Sequence, residues 1–281
     1  MEDKRKILKE RLRKFKSAVI AFSGGVDSTF LASVAKDVYG ENLLLITASS
    51  STYPFYELDE AKSLAIMLGI KHRVIVSEET EIPGYSDNPP DRCYYCKGEL
   101  FGKINHIAKN EGYEVVFDGS NADDLGDFRP GMKAKQERGV ISPLAECGFT
   151  KKDIRYYSEL EKLPTAQKQS YACLASRFPY GEKITVQKLD RLAIAEFEFR
   201  KYGFTQFRIR SHENLARLEF TTDEMNKAWE IRDKLFDVCK RAGFNYVAID
   251  LVGYRTGSMN EALSDAVKKT GSVKSSLNNL G

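Results

Sequence analysis

Residues 17–28 read Ser17-Ala-Val-Ile-Ala-Phe-Ser-Gly-Gly-Val-Asp-Ser28, and this stretch decides the fold. Its apolar first half predicts a short buried strand that ends at Phe22. An apolar stretch from Thr29 to about Val38 predicts a helix directly afterwards. Glycines at such a junction let backbone N–H groups approach a phosphate, and the helix N-terminus adds partial positive charge. The junction therefore predicts a phosphate-binding loop, with a plain strand-to-helix turn as the alternative.

The side chains of this loop suit a nucleotide. Serine hydroxyls can donate hydrogen bonds to phosphate, and a carboxylate can hold Mg²⁺. The chain contains no Gly-x-x-x-x-Gly-Lys-Ser/Thr and no Gly-x-Gly-x-x-Gly, so neither a Walker A loop nor a dinucleotide-binding loop is indicated. The predicted ATP-binding residues of the loop are Ser23, Gly24, Gly25, Asp27 (also the Mg²⁺ ligand) and Ser28.

Strands and helices alternate on both sides of the loop. Further strands are predicted at Leu43–Ala48, His72–Val76 and Val115–Asp118, with helices at Glu57–Leu68 and Gly98–Asn110. Such alternation indicates βαβ units in an α/β fold with a doubly wound, mainly parallel sheet. Ligands of these sheets bind at the carboxyl ends of the strands.

A second polar segment follows the strand Val115–Asp118 and should lie at the same edge of the sheet. It reads Gly119-Ser-Asn-Ala-Asp-Asp124 and supplies further candidate ATP-binding residues. Asp123 and Asp124 suit Mg²⁺, but they could equally be a helix cap and a first-turn acid. The predicted ATP-binding residues of this segment are Gly119, Ser120, Asn121 and Asp124.

The pattern changes beyond about Pro164. Phe207–Arg210 and Ala216–Phe220 predict neighbouring short strands, a helix follows before Phe244, and Tyr246–Leu251 predicts another strand. We therefore expect a nucleotide-binding domain over residues 1–166 and a smaller α+β domain over 167–267. The Ser-, Asn-, Lys- and Gly-rich residues 268–281 are expected to form a flexible tail.

Composition restricts the function classes. The 281 residues are 42% hydrophobic and carry a formal net charge of only +3, which does not favour a nucleic-acid partner. No apolar run approaches the roughly 20 residues of a membrane span, and no signal peptide is evident. Five cysteines without an export signal argue against a disulfide framework and for a cytoplasmic protein in which cysteines bind metal or react.

The Ser-Gly-Gly-Val-Asp-Ser hexapeptide at 23–28 resembles the PP-loop of the ATP pyrophosphatases, which cleave ATP between its α and β phosphates. Four further segments, taken together, are similar to the LarE family of ATP-dependent sulfur transferases. The resemblance covers about residues 2–266 and is most specific around Cys173. These segments are residues 119–131, 170–181, 208–219 (Arg208-Ile-Arg210 and Ala216-Arg-Leu-Glu219) and 250–260.

The resemblance implies a reaction and a substrate. ATP with Mg²⁺ would adenylate a carboxylate of a pyridinium mononucleotide that carries two carboxylates. A sulfur nucleophile would then displace AMP and leave a thiocarboxylate. In the sacrificial version the cysteine at the position of Cys173 forms a thioester, loses its sulfur and becomes dehydroalanine. The resemblance also implies a homo-oligomer.

The second domain carries the predicted substrate contacts. Arg208 and Arg210 stand two apart on a predicted strand, so they share a face, and paired guanidinium groups suit a phosphate. By spacing alone, they could instead belong to a solvated strand face. The residues that the resemblance implies as substrate contacts are Ser176, Arg177, Glu196, Arg208 and Arg210.

Cys93-Tyr-Tyr-Cys96 departs from the simple sacrificial pattern. A Cys-x-x-Cys pair can be a redox pair, half a zinc site, two ligands of an iron–sulfur cluster, or core packing without metal. The two cysteines are expected in a loop before the helix Gly98–Asn110. With Cys173 they could hold a [4Fe-4S] cluster that leaves one iron free for an extra sulfide, and LarE-like proteins of a three-cysteine type have this pattern.

Two rival functions remain open at the level of sequence. Another PP-loop enzyme, such as a tRNA thiolase, could also use three cysteines and a cluster, but balanced charge argues against tRNA binding. A non-catalytic ATP-sensing module would leave Cys173, Arg208 and Arg210 unexplained.

Overall fold

The computed structural model describes residues 3–77, 79–126, 130–255 and 257–258. The predicted tail, residues 268–281, lies outside the described residues. Within the described part of the chain, no helix is both long and apolar enough to cross a membrane.

A four-stranded parallel sheet, ordered β3-β2-β1-β4, organises the first part of the chain. The central strand pairs Ala18 with Leu43 on one side and with Val115 on the other, so the strands end at a common edge. This arrangement confirms the predicted α/β fold. The strands are β1 (Ala18–Ala21), β2 (Leu43–Ser49), β3 (Lys71–Val76) and β4 (Val115–Phe117).

Helices cover both faces of this sheet, because alternate apolar side chains of the central strands point to opposite sides. Ile20 and Leu45 pack into a core with α2 and α3, whereas Val19 and Leu44 pack into a separate core with α4. The helices of this part are α1 (Lys4–Leu12), α2 (Val26–Tyr39), α3 (Phe55–Leu68), α4 (Arg92–Asn110), α5 (Pro130–Glu137), α6 (Pro143–Glu146) and α7 (Lys151–Leu160).

Helix α4 begins six residues earlier than the sequence predicted. Pro89 and Pro90 precede it, Asp91 is its N-terminal flanking residue, and the helix starts at Arg92. The predicted loop position of Cys93 and Cys96 is therefore wrong, because both lie in the first turns of α4. Gly98 lies inside the helix, with nothing within 4 Å of the position of a Cβ atom, so it neither starts nor breaks it.

The second part contains a three-stranded sheet ordered β5-β6-β7, in which β5 and β6 are antiparallel and β6 and β7 are parallel. The two neighbouring strands predicted here are confirmed, whereas the single predicted helix before Phe244 is two helices. A long helix before the sheet, α8, was not predicted. The elements are α8 (Val186–Lys201), β5 (Phe207–His212), β6 (Leu215–Phe220), α9 (Thr222–Glu230), α10 (Arg232–Arg241) and β7 (Tyr246–Ile249).

Candidate active site

The loop between β1 and α2 is compact because Gly24 faces α3 closely. Gly24 has a φ of +61°, and a Cβ atom at this position would lie 3.1 Å from Ala61. The Ser23 and Ser28 hydroxyl oxygens are 3.2 Å apart, and the Ser28 hydroxyl donates to the Gly25 carbonyl at 3.2 Å. This geometry favours the phosphate-loop interpretation over a plain turn, since it places two hydroxyls and the start of α2 at one point.

The segment after β4 packs directly against this loop. A Cβ atom at Gly119 would lie 3.0 Å from the Ser28 backbone nitrogen, so the contact requires glycine. Asn121 is buried, and its backbone N–H donates to Asp124 at 3.0 Å. The Asn121 side chain accepts from the Asp123 backbone N–H at 2.9 Å. The two predicted ATP segments therefore meet at the carboxyl ends of the strands, as expected.

Asp27 lies at the first turn of α2 with its two carboxylate oxygens in different surroundings. One, Oδ2, forms an ion pair with the Lys151 ammonium. The other, Oδ1, is buried and has no hydrogen-bond partner among the described residues. Burial raises the pKa of Asp27, while the Lys151 charge opposes that rise. A buried, unpartnered carboxylate oxygen beside a phosphate loop fits a Mg²⁺ ligand.

A cavity of about 450 Å³ opens above these segments. Seven of the predicted ATP residues line it, while Gly24 and Asn121 lie behind its wall. Cys96 and Cys173 line the same cavity. The seven predicted residues are Ser23, Gly25, Asp27, Ser28, Gly119, Ser120 and Asp124.

Cys173 is half-buried and precedes a short 3₁₀ turn, Leu174–Arg177. The Leu174 backbone N–H donates to the Thr52 carbonyl at 3.0 Å, which ties this segment to the first part of the chain. The Ser176 hydroxyl donates back to the Cys173 carbonyl at 2.8 Å. Ser176 does not line the cavity. Its hydroxyl therefore stabilises the turn that presents Cys173.

Arg177 and Glu196 are buried against each other. The Arg177 guanidinium donates to both Glu196 oxygens, at 2.7 and 3.0 Å, and both side chains are almost fully excluded from solvent. Burial alone would raise the pKa of Glu196, but the Arg177 charge offsets this and holds the pKa below its ordinary value. The pair does not face the cavity.

Arg208 and Arg210 are also buried, so the alternative of a solvated strand face is wrong. Arg208 donates to the Ser170 carbonyl at 3.1 Å, and Arg210 donates to the Ser176 carbonyl at 2.8 Å. Neither lines the cavity. In this structure both arginines hold the backbone on either side of Cys173, and their contact with a substrate remains a prediction.

Of the three cysteines of the predicted cluster, Cys96 and Cys173 line the cavity and Cys93 does not. Cys96 is half-buried, and its S–H donates to the Glu79 carboxylate at 3.8 Å. Burial raises the pKa of Cys96, and Glu79, Cys173 and Cys93 raise it further. Cys93 is exposed. Across the described ranges, no three His, Cys, Asp or Glu side chains are grouped closely enough to hold one metal ion.

Sequence reasoning missed several charged residues of the cavity. Lys168 donates to the Gly24 carbonyl at 3.2 Å and to the Glu57 carboxylate at 2.8 Å. Lys151 and Glu79 also line the cavity. The sequence around Thr150 did carry a signal, because Thr150-Lys-Lys-Asp153 is a capping box that starts α7 and so places Lys151 at a helix N-terminus.

Comparison with known proteins agrees with this geometry. The model of the asparagine synthase family matches residues 5–127, which contain the parallel sheet and both ATP segments. The match and the loop geometry place the chain in the class of ATP-using PP-loop proteins.

Comparison with individual proteins identifies the family within this class. The chain is 34% identical over 264 residues to pyridinium-3,5-bisthiocarboxylic acid mononucleotide synthase of Lactiplantibacillus plantarum, covering 94% of this chain and 96% of that protein. It is 42% identical over 268 residues to an uncharacterised protein of Synechocystis sp., covering 94% and 99% of the two chains. An uncharacterised protein of Methanocaldococcus jannaschii is 30% identical over 249 residues, covering 89% and 94%. The chain belongs to the LarE family, and this relationship does not favour a tRNA thiolase or an ATP sensor.

Proposed function

We propose that this protein is an ATP-dependent sulfur transferase that converts a carboxylate of pyridinium-3,5-biscarboxylate mononucleotide into a thiocarboxylate. The observation that carries the proposal is one cavity lined by both ATP segments and by Cys173. The name of the Lactiplantibacillus plantarum relative supports the choice of substrate.

The residues of the cavity suit two successive displacements. In the first, a substrate carboxylate oxygen attacks the α-phosphorus of ATP, and pyrophosphate leaves. The 23–28 loop would bind the pyrophosphate, and Asp27 would hold Mg²⁺. In the second, a sulfur nucleophile attacks the activated acyl carbon, and AMP leaves with the bonding electron pair.

The sulfur atom can come from either of two sources, an iron–sulfur cluster or Cys173 itself. Cys93 and Cys173 lie near enough to Cys96 to raise its pKa, and this proximity supports a cluster site, because thiolates are the ligands that iron–sulfur clusters prefer. A [4Fe-4S] cluster, when bound, would supply a sulfide on its free iron. Otherwise the Cys173 thiolate attacks the activated acyl carbon and forms a thioester. Loss of the Cα proton then breaks the Cβ–S bond, so that the thiocarboxylate leaves with the sulfur and the electron pair of that bond, and dehydroalanine remains at position 173. Cys173 is essential in either route.

The function is tested by following pyrophosphate and thiocarboxylate together with the pyridinium substrate, ATP and Mg²⁺. We expect Asp27→Ala to abolish both products, because adenylation needs the metal. Cys173→Ala should release pyrophosphate but form no thiocarboxylate, while Cys147→Ala, outside the cavity, serves as the control. Normal pyrophosphate release by Asp27→Ala, or normal sulfur transfer by Cys173→Ala, would contradict the assignment.

The sulfur source is tested by the iron and acid-labile sulfide content of anaerobically purified protein. Near-stoichiometric cluster amounts in the wild type, lost in both Cys93→Ala and Cys173→Ala, would support the cluster route. Absence of both elements, even after reconstitution, would leave the sacrificial route. Mass spectrometry would then find one sulfur atom fewer in the protein after a single turnover.

We further propose the domain division 1–166 and 167–267, a homo-oligomer and a cytoplasmic location. The apolar cores support the division, since the core around α8 and β5–β6 is distinct from those of the parallel sheet.

Exposed apolar side chains, such as Trp229 and Leu251, support self-association. No disulfide bond joins the five cysteines, which all lie within the described residues, and this supports a reducing compartment.

A further inference from the structure

The ion pair between Lys151 and Asp27 joins the N-terminus of α7 to the phosphate loop. Lys151 is the first residue of α7, and it lies 124 positions along the chain from Asp27. Its side chain is 30% exposed, and that of Asp27 is 22% exposed. Both residues line the cavity that the two ATP segments share.

The Lys151 contact engages one oxygen of the Asp27 carboxylate, and the Asn121 side chain lies close enough to lower the pKa of Asp27 as well. The Asp27 Oδ1 atom is buried without a hydrogen-bond partner among the described residues, although Lys151 holds Oδ2. Asp124 lies close enough for its negative charge to act on Asp27. A divalent cation carries twice the charge of the lysine ammonium, so it attracts the Asp27 carboxylate more strongly at the same distance.

The Lys151 ammonium has fewer contacts than that of Lys168, the other lysine bound to the loop. Lys168 is held by the Gly24 carbonyl and by the Glu57 and Glu60 carboxylates. The Lys151 ammonium contacts Asp27, and no second partner is found for it in the described structure. The Lys151 backbone is nevertheless firmly placed, because its N–H donates to Asp123 at 2.8 Å.

We propose that Lys151 is an exchangeable counter-ion: it holds Asp27 in the nucleotide-free protein, yields that carboxylate to Mg²⁺, and then binds a polyphosphate oxygen of ATP. The ammonium and Mg²⁺ compete for the same carboxylate, so they exclude each other there. Once displaced, the four-carbon stem of the lysine keeps its charge within the cavity, where the phosphates enter. The inference rests on the ATP site of the proposed function, but not on sulfur transfer.

The exchange predicts opposite effects of Lys151→Gln on two ligands. Mn²⁺ serves as the probe for the metal site, titrated into nucleotide-free protein and followed by electron paramagnetic resonance. We expect Mn²⁺ to bind about fivefold more tightly to Lys151→Gln, because a competing partly exposed ion pair is removed. Binding of α,β-methylene-ATP with Mg²⁺ should weaken by about tenfold, because a phosphate contact is lost.

Lys152→Gln is the matched control, since Lys152 is the exposed neighbour on the same helix. It should change neither affinity. Asp27→Asn should abolish Mn²⁺ binding in both the wild-type and the Lys151→Gln background, so that the resonance of free Mn²⁺ keeps its full intensity. The capping box at Thr150 and Asp153 remains in all of these lysine variants, so equal thermal unfolding should confirm that they fold.

An unchanged or weakened Mn²⁺ affinity in Lys151→Gln would overturn the proposal, and so would Mn²⁺ binding that survives Asp27→Asn. The proposed function fails separately. If the opposed affinity changes occur but the wild type forms no thiocarboxylate, then the counter-ion exchange stands and the sulfur-transfer assignment falls.

Discussion

Single charged residues are removed from water in two different ways in this protein. Asp27 is partly buried and lines the cavity, and one of its oxygens has no hydrogen-bond partner among the described residues, which suits a group that gains a ligand. Arg177 is fully buried, and Glu196 matches its charge through two hydrogen bonds. A carboxylate with a spare oxygen is adapted to binding, whereas a closed bidentate pair is adapted to holding structure.

The Arg177–Glu196 pair should therefore matter for stability. Glu196→Gln is expected to lower the free energy of unfolding by about 3–5 kcal/mol, because it leaves the buried Arg177 charge uncompensated. Urea unfolding at pH 7 measures the change. Glu198→Gln in the same helix, which removes an exposed pair with Lys201, should cost less than about 1 kcal/mol. A loss below about 1 kcal/mol in Glu196→Gln would show that the pair is not a structural element.

At the scale of elements, the site depends on how closely two loops and one helix end approach each other. The loop before α2 and the segment after β4 touch backbone to backbone at Ser28 and Gly119. The N-terminus of α7 adds Lys151 from a third direction. The first approach is possible because Gly119 has no side chain. The second is possible because a capping box fixes the start of α7.

Gly119→Ala tests the loop contact. The added methyl group would lie 3.0 Å from the Ser28 backbone nitrogen, so the two loops must move apart. We expect nucleotide affinity to fall by about tenfold or more while the protein still folds, as measured by calorimetric titration of α,β-methylene-ATP. Gly98→Ala inside α4, where the added group meets nothing, should leave affinity unchanged. Equal affinity in both variants would contradict the close approach.

A substitution at Asp153 tests how the N-terminus of α7 is stabilised. Burial alone would raise the pKa of Asp153, but hydrogen bonds from Lys4 and Thr150 lower it to about 2. Because the folded pKa lies below the ordinary value of 3.8, the carboxylate stabilises the protein above about pH 4. That stabilisation is lost as the pH falls toward 2.

Asp153→Ala should therefore cost about 1 kcal/mol of unfolding free energy at pH 7. The difference from the wild type should shrink as unfolding is repeated at lower pH, below about 4. Asp233→Ala, an exposed first-turn acid of α10, is the control and should have little effect at any pH. A cost that does not depend on pH would mean that packing, rather than the ionised cap, stabilises α7.

At the scale of the whole molecule, charged and aromatic contacts join the two parts of the chain behind the phosphate loop. The buried Glu57 of α3 accepts from Lys168 at 2.8 Å and from Arg200 of α8 at 3.4 Å. Beside them, Tyr56 stacks on Phe197 with ring centroids 5.6 Å apart. These contacts connect α8 to the helix that packs on Gly24, so they couple the second sheet to the ATP site.

Glu57→Gln should weaken that coupling. We expect a loss of about 1–3 kcal/mol, because buried hydrogen bonds to charged partners are lost. Trp229, the single tryptophan, lies in α9 and reports on the second part, whereas far-UV circular dichroism reports on both. The two unfolding curves should coincide in the wild type and separate in Glu57→Gln. Glu60→Gln, which removes the more exposed partner of Lys168, should keep them together. Coincident curves in Glu57→Gln would argue against this coupling.

The sequence by itself determined the parallel α/β fold, the phosphate loop, the second ATP segment and the LarE resemblance. Short stretches of sequence are enough to predict these features, because hydrophobic periodicity and glycine spacing are local properties of the chain. The start of α4 was misplaced for the same reason, since Gly98 reads locally as a boundary and tertiary packing makes it part of the helix.

Only the tertiary structure decided which charges are paired and which face the cavity. Lys151 meets Asp27 across 124 positions, and Glu196 buries Arg177 from another helix. No local pattern encodes such meetings, because they depend on how the sheets and helices pack. The burial of each charged group then determines whether it can bind a ligand. The same packing buries one Asp27 oxygen without a hydrogen-bond partner among the described residues, and it closes the Arg177–Glu196 pair to solvent.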